Sequence, residues 1–194
     1  MTPTESFVEV VGGKVQVLKG GSGRSLLILH HDVGNPGWLP FYDELARDFT
    51  VHVPSHPGFG KSERPEWMRT VRDMAMAYLW LARALNLDST SMVGLGFGGW
   101  IAAEMAMMCR HTISRLVLVG AMGILPKSGE ILDQFLINTI DYTRSGFENR
   151  LWCTLLRRFD FRPSSLLLNM YLTSRTNFGN SIHALPRARF GIFA

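Results

Sequence analysis

VGLGFGGW, residues 93–100, is a glycine-rich segment between a short apolar run and a run of small residues that fits a helix. Gly94, Gly96 and Gly99 have the spacing G-x-G-x-x-G, which binds a dinucleotide pyrophosphate when it joins a strand to a helix. The segment also fits G-x-S-x-G, a sharp turn that presents a nucleophilic serine, except that Gly96 stands at the serine. A third interpretation is a tight turn that only packs a helix against a sheet.

The composition is that of a globular protein large enough for one domain. Of the 194 residues, 46% are hydrophobic and 19% are charged, which argues against disorder. The sequence MTPTESFVEV lacks the basic and apolar regions of a secretory signal, and no run approaches the roughly 18 apolar residues of a membrane span. The two cysteines, Cys109 and Cys153, form no C-x-x-C. These features predict a cytoplasmic protein with reduced thiols and no membrane partner.

The basic charge is confined to the end of the chain. The net charge is +4, yet residues 144–194 alone carry eight arginines against two acidic residues. The arginines are scattered rather than clustered, so we predict a solvated basic face and no nucleic-acid partner. The abrupt change in charge also raises the hypothesis that the chain is an incomplete version of a longer protein.

Strand and helix patterns alternate up to residue 121. Apolar and polar residues alternate around Gly12-Gly13, which predicts a β-hairpin with a two-residue turn there. Five further segments follow in which β-type runs alternate with helical periodicity, at about 24–30, 40–49, 50–54, 71–85 and 91–93. A small-residue helix and the sixth strand, ISRLVLVGA, complete the pattern. We therefore predict an α/β fold with a mostly parallel sheet flanked by helices, over residues 1–121.

The character changes in residues 122–194. Three segments have paired apolar residues at helical spacing, and no β-branched run follows. We predict a helical, cap-like segment that ends in an irregular basic tail. Without a further strand, LVLV (residues 116–119) would be an exposed sheet edge, which predicts self-association unless residues 122–194 wrap that edge.

The dinucleotide-binding interpretation lacks the acidic residue that would complete the motif. A complete fingerprint needs an acidic residue about 20 positions on, at the end of the next strand, to hold the ribose. The strand LVLVGAMG ends without one, and the glycine loop follows several strands rather than the first. A dinucleotide-dependent oxidoreductase is therefore a less favoured alternative, and we predict no cofactor.

Three motifs in order resemble those of the α/β-hydrolase fold family. LLILHHDVGNPGW is similar to a strand that ends in H-G-x-x-G, PGFGKS (residues 57–62) matches P-G-F-G-x-S, and MVGLGFGGW provides the frame of G-x-S-x-G-G. The resemblance covers residues 7–121. It implies a protein related to hydrolases of small apolar esters, epoxides or carbon–carbon bonds.

The departures from the family motifs concern the catalytic groups. Gly96 occupies the nucleophile position, His31 replaces the glycine of H-G, and no acid or histidine after residue 121 can be assigned to a triad. Because loss of a triad nucleophile costs on the order of 10⁶ in turnover, serine chemistry is not expected. The chain is then a weakly active or inactive hydrolase relative, or alternatively a non-catalytic protein that binds a small apolar ligand.

The resemblance also implies the remaining site residues. Phe97 and Asp32 would supply the two backbone N–H donors for an oxyanion, and His30 and His31 are candidates at the mouth of the pocket. A histidine beside a turn is more often a structural, hydrogen-bonded residue than a catalyst. We predict no metal site, because adjacent residues on an extended chain point opposite ways and cannot easily bind one ion.

Overall fold

The computed structural model describes residues 2–124 and 191–193, which form one seven-stranded sheet with flanking helices. The strand order is β1-β2-β4-β3-β5-β6-β7. The pairs β1–β2 and β2–β4 are antiparallel and all others are parallel, which confirms the predicted α/β class. The strands are β1 Thr4–Val10, β2 Gly13–Gly20, β3 Arg24–Leu29, β4 Phe49–Pro54, β5 Thr90–Leu95, β6 Ile113–Val119 and β7 Gly191–Phe193.

Three helices flank this sheet: α1 Pro40–Leu45, α2 Val71–Ala84 and α3 Phe97–Met108, the last followed by a 3₁₀ turn at Arg110–Thr112. Proline at the first position of α1 has the backbone angle that a helix start requires. Helix α2 begins with a capping box, in which the Thr70 side chain accepts from the Asp73 N–H and the Asp73 carboxylate accepts from the Thr70 N–H.

The central strand β3 is covered on both faces. Leu27 and Leu29 belong to the core beneath α2 and α3, whereas Leu26 and Ile28 pack with the α1 side. Alternation of side chains along a strand explains why this run is apolar at every position. The sheet therefore holds the carboxyl ends of β3 and β5 rigidly side by side, and the candidate site forms there.

Three details of the predicted fold were wrong. The helix predicted at 40–49 ends at Leu45, and Phe49 already belongs to β4. The hairpin turn consists of Val11 and Gly12, both with positive φ, and Gly13 already belongs to β2. A strand does follow residue 121, since Gly191–Phe193 pairs in parallel with Val117–Val119. The sheet edge at Val117–Val119 is therefore paired by residues of 122–194, as the wrapping alternative predicted, and the predicted self-association loses that part of its basis.

The predicted helical segments of 125–190, and with them the cap, lie outside the described residues. In the part of the chain with assigned structure, no helix is long and apolar enough to cross a bilayer.

Candidate functional site

The turn at Gly96 connects the end of β5 to the start of α3. Its φ of 51° and ψ of −113° lie in a region that residues with a side chain rarely adopt. The Gly96 N–H donates to the Val119 carbonyl at 2.9 Å, and the Gly96 carbonyl accepts from the N–H groups of Gly99 and Met122 at 3.0 and 3.1 Å. The turn is thus held at both of its backbone polar groups.

The other glycines of the segment allow α3 to contact the sheet backbone directly. A Cβ added to Gly94 would lie 2.5 Å from the Cα of Gly99, and one added to Gly98 would lie 2.3 Å from the Leu29 carbonyl oxygen. Both distances are far below van der Waals contact. Close packing of helix on strand therefore accounts for glycine at these positions, with no ligand required.

The imidazole of His31 lies directly over Gly96. A Cβ built on Gly96 would be 2.5 Å from His31 Nε2, 2.6 Å from Cδ2 and 2.9 Å from Cε1. The ring therefore fills the volume in which any side chain at position 96 would begin. The His31 side chain is 44% exposed, so a small molecule can reach it.

Asp32 holds the other nitrogen of the same ring. Its Oδ1 pairs with His31 Nδ1, and the Asp32 side chain is only 4% exposed. A carboxylate is an acceptor, so Nδ1 carries the proton, and in the neutral ring the lone pair is on Nε2, next to Gly96. The two residues form a histidine–carboxylate pair at the carboxyl end of β3.

The two predicted oxyanion donors are the backbone N–H of Asp32, within this pair, and that of Phe97, next to Gly96. Phe97 follows Gly96 as the first residue of α3, and Asp32 follows His31. Within residues 2–124, neither backbone N–H donates a hydrogen bond to a protein acceptor. The structure thus brings Gly96, His31, Asp32 and Phe97 together, with two N–H groups left for a ligand.

His30 has a different environment from His31. It is 2% exposed; its Nδ1–H donates to the His31 carbonyl at 2.7 Å, and its Nε2 accepts from the His56 backbone N–H at 2.8 Å. Burial lowers the pKa of His30 to about 4. With both nitrogens bonded to backbone groups, His30 is a neutral structural residue at ordinary pH.

Sequence reasoning missed His56 and Tyr78, which complete a buried polar cluster with His30. His56 Nε2–H donates to the His30 carbonyl at 2.8 Å, Tyr78 donates its hydroxyl to His56 Nδ1, and the two imidazole centroids are 3.7 Å apart. Burial lowers the pKa of His56 well below its usual value and raises that of Tyr78. The only signal was the position of His56 immediately before the Pro57-Gly58 motif.

One carbonyl oxygen joins the three segments that form the site. The His30 carbonyl accepts from the His56 ring and also from the Gly98 N–H of α3 at 3.1 Å. The loop after β3, the loop after β4 and the start of α3 therefore meet at a single atom, which fixes the loop that carries His31.

No group of three or more side chains that could hold a metal ion occurs among the residues with assigned coordinates.

Comparison with known proteins identifies the architecture. A family model described as alpha/beta hydrolase fold matches residues 24–179. A 2-hydroxy-6-oxo-2,4-heptadienoate hydrolase from Pseudomonas putida is 32% identical over 111 residues, which are 54% of this chain and 40% of that enzyme. A soluble epoxide hydrolase from Corynebacterium sp. is 29% identical over 167 residues, 84% of this chain and 56% of that one.

A solved structure has a similar fold. The epoxide hydrolase CorEH without ligand superposes with a TM-score of 0.60 at 28% identity, over 80% of this chain and 55% of that one. The chain thus spans about two fifths of the length of the carbon–carbon hydrolase and just over half that of the epoxide hydrolases.

Proposed function

Because the chain belongs to the α/β-hydrolase fold family, we propose that it binds a small apolar ester at the Gly96 turn and hydrolyses it slowly, without a serine nucleophile. The observation that carries this proposal is the pair of N–H groups of Asp32 and Phe97, which have no protein acceptor within residues 2–124. Two such donors suit the carbonyl oxygen of a substrate, and they favour the oxyanion formed on attack. The partner is therefore a small apolar molecule that contains a carbonyl group.

The expected rate follows from what position 96 lacks. Glycine there keeps the backbone turn but offers no atom to attack a carbonyl, so the triad in its usual form is degenerate. Substrate binding and the oxyanion donors alone leave on the order of 10³–10⁴ over the rate in water. Slow turnover is thus the expected behaviour, in a protein that we place in the cytoplasm on its cysteine usage.

The test uses the 194-residue chain and p-nitrophenyl esters of increasing acyl length. We expect saturable release of nitrophenol above the rate of the same protein after thermal unfolding, with KM falling as the acyl chain lengthens. Rates equal to those of unfolded protein for every ester would overturn the proposed hydrolysis.

A second candidate function is binding without turnover, and the glycine at position 96 favours it. An apolar ketone of similar shape, which presents a carbonyl but no leaving group, separates the two. Stoichiometric ketone binding by a chain that leaves every ester intact would identify a binding protein.

A further inference from the structure

We infer that His31 Nε2 is the nucleophile of this site and takes the place of the missing serine hydroxyl. The inference rests on the proposed ester hydrolysis and names the atom that attacks. His31 lies on the loop after β3. The nucleophile of the family motif would instead lie on the turn before α3.

His31 Nε2 lies next to the place where a side chain at position 96 would begin. Of the atoms near an ideal Cβ on Gly96, His31 Nε2 is the nearest, at 2.5 Å. A serine hydroxyl oxygen at position 96 would lie one bond beyond that Cβ, so Nε2 lies beside the place of the absent oxygen.

The tautomer of the His31 ring leaves the lone pair on Nε2. Asp32 fixes the proton on Nδ1, and its carboxylate is buried and therefore not bound to bulk water. Nε2 has no hydrogen-bond partner among the described residues, and the His31 side chain is 44% exposed. Of the histidines at the site, His30 and His56 have both ring nitrogens in hydrogen bonds, and His31 is the one with a nitrogen left to react.

The covalent step balances with water as the sole co-reactant. Nε2 donates its electron pair to the ester carbonyl carbon, and the carbonyl pair moves to the oxygen that the Asp32 and Phe97 N–H groups bind. When the carbonyl re-forms, the bond to the alcohol oxygen breaks and an acyl-imidazolium remains on His31. The Asp32 carboxylate balances its positive charge, and Nδ1 keeps its proton.

Hydrolysis then restores the ring. Water attacks the acyl carbon, the bond to Nε2 breaks, and its electron pair returns to Nε2. The alkoxide takes a proton from solvent when it leaves in the first step, and the attacking water returns one proton to solvent in the second. The sum is one ester and one water converted to one carboxylic acid and one alcohol.

The test compares the His31→Gln and His111→Gln variants in the steady-state hydrolysis of p-nitrophenyl acetate. His111 is exposed on the 3₁₀ turn after α3 and is the matched control. We expect a loss of about 10²- to 10⁴-fold in kcat/KM for His31→Gln and no change for His111→Gln. Equal activity of the two variants would overturn the assignment to His31 and leave the proposed hydrolysis intact, whereas an inactive wild-type chain would overturn both.

A partitioning experiment on the wild-type chain distinguishes attack by His31 from attack by water that His31 only deprotonates. Phenyl acetate and p-nitrophenyl acetate would form the same acetyl-His31, so added methanol should give one ratio of methyl acetate to acetate from both. A ratio that changes with the leaving group would overturn the nucleophilic role. This measurement needs no variant and so does not depend on how any substitution folds.

Discussion

The imidazole of His31 and the backbone of Gly96 exclude a side chain from each other's space, since a Cβ on Gly96 would lie 2.5 Å from Nε2. Glycine at position 96 is thus the residue that admits the ring, as well as one that tolerates the φ of 51°. Gly96 and the His31 ring therefore belong to one steric arrangement.

A methyl group at position 96 should therefore displace His31. We expect Gly96→Ala to lower ester turnover by about 10²-fold, because a catalytic group moved by about 1 Å loses that much. The control is Gly12→Ala, where φ is also positive at 83° but a Cβ meets nothing within 4 Å. Both variants carry backbone strain of about 1–3 kcal/mol, so we expect similar melting temperatures, with activity lost only in Gly96→Ala. Full activity of Gly96→Ala would contradict the steric relationship.

Asp32→Asn tests the proton on Nδ1. The amide has the size of the carboxylate but neither fixes the Nδ1–H tautomer nor balances an imidazolium. We expect kcat to fall by about 10²- to 10⁴-fold with KM nearly unchanged, because substrate binding uses the backbone N–H of residue 32. The measurement is a full saturation curve with one ester, and Asp32→Glu should recover part of kcat. A pure KM effect would show that Asp32 serves binding alone.

The buried histidines should make the free energy of unfolding depend on pH. Burial lowers the pKa of His30 and His52 to about 4 from an unfolded value near 6.5, and it also lowers the pKa of His56 well below that value. Above pH 6.5 these rings are neutral in both states and their contribution to stability is fully present. As pH falls towards 4, only the unfolded chain binds the protons, and stability drops by about 1.4 kcal/mol per pH unit for each histidine.

Chemical denaturation between pH 7.5 and 4 measures this slope. The His56→Gln variant should have a shallower slope than the wild-type chain, because one buried histidine is then missing. A free energy of unfolding that stays level across this interval would show that the histidine cluster accepts protons while folded.

Gly98→Ala separates packing from helix propensity. In a helix, alanine is more favourable than glycine by about 0.8–1 kcal/mol, so propensity alone predicts a more stable protein. The added Cβ would lie 2.3 Å from the Leu29 carbonyl oxygen, and backbone cannot move aside cheaply. We expect a net loss of about 1–3 kcal/mol in the free energy of unfolding, measured by urea denaturation. A gain in stability would mean that α3 can move away from the sheet.

Much of the sheet could be predicted because its residues follow simple patterns. Three such features each have one physical explanation, and all three features occur in the structure: the all-apolar run of β3, the small residues of α3 and the helix start at Pro40. The hairpin turn was misplaced by one residue because Gly12-Gly13 is the better candidate on conformational grounds, whereas Val11 adopts the positive φ instead. Strand β7 has three residues, too few for an alternation pattern.

The site could be predicted only in outline. The resemblance to the family motifs led to Gly96, Asp32 and Phe97, and their site roles stay predictions. That His31, and not His30, is the accessible ring depends on which way each side chain points, and spacing along the chain does not give this. His56 lies in a loop segment, and its partner Tyr78 lies 22 residues further on in an amphipathic helix.

Rapid acid quench of wild-type chain during turnover of p-nitrophenyl acetate, followed by mass spectrometry of its peptides, tests the central claim most directly. We predict one acetyl group on the peptide that contains His31, absent in His31→Gln and present in His111→Gln. An acetyl group on a serine, or none on any residue while nitrophenol is released, would contradict the assignment of His31 as the nucleophile.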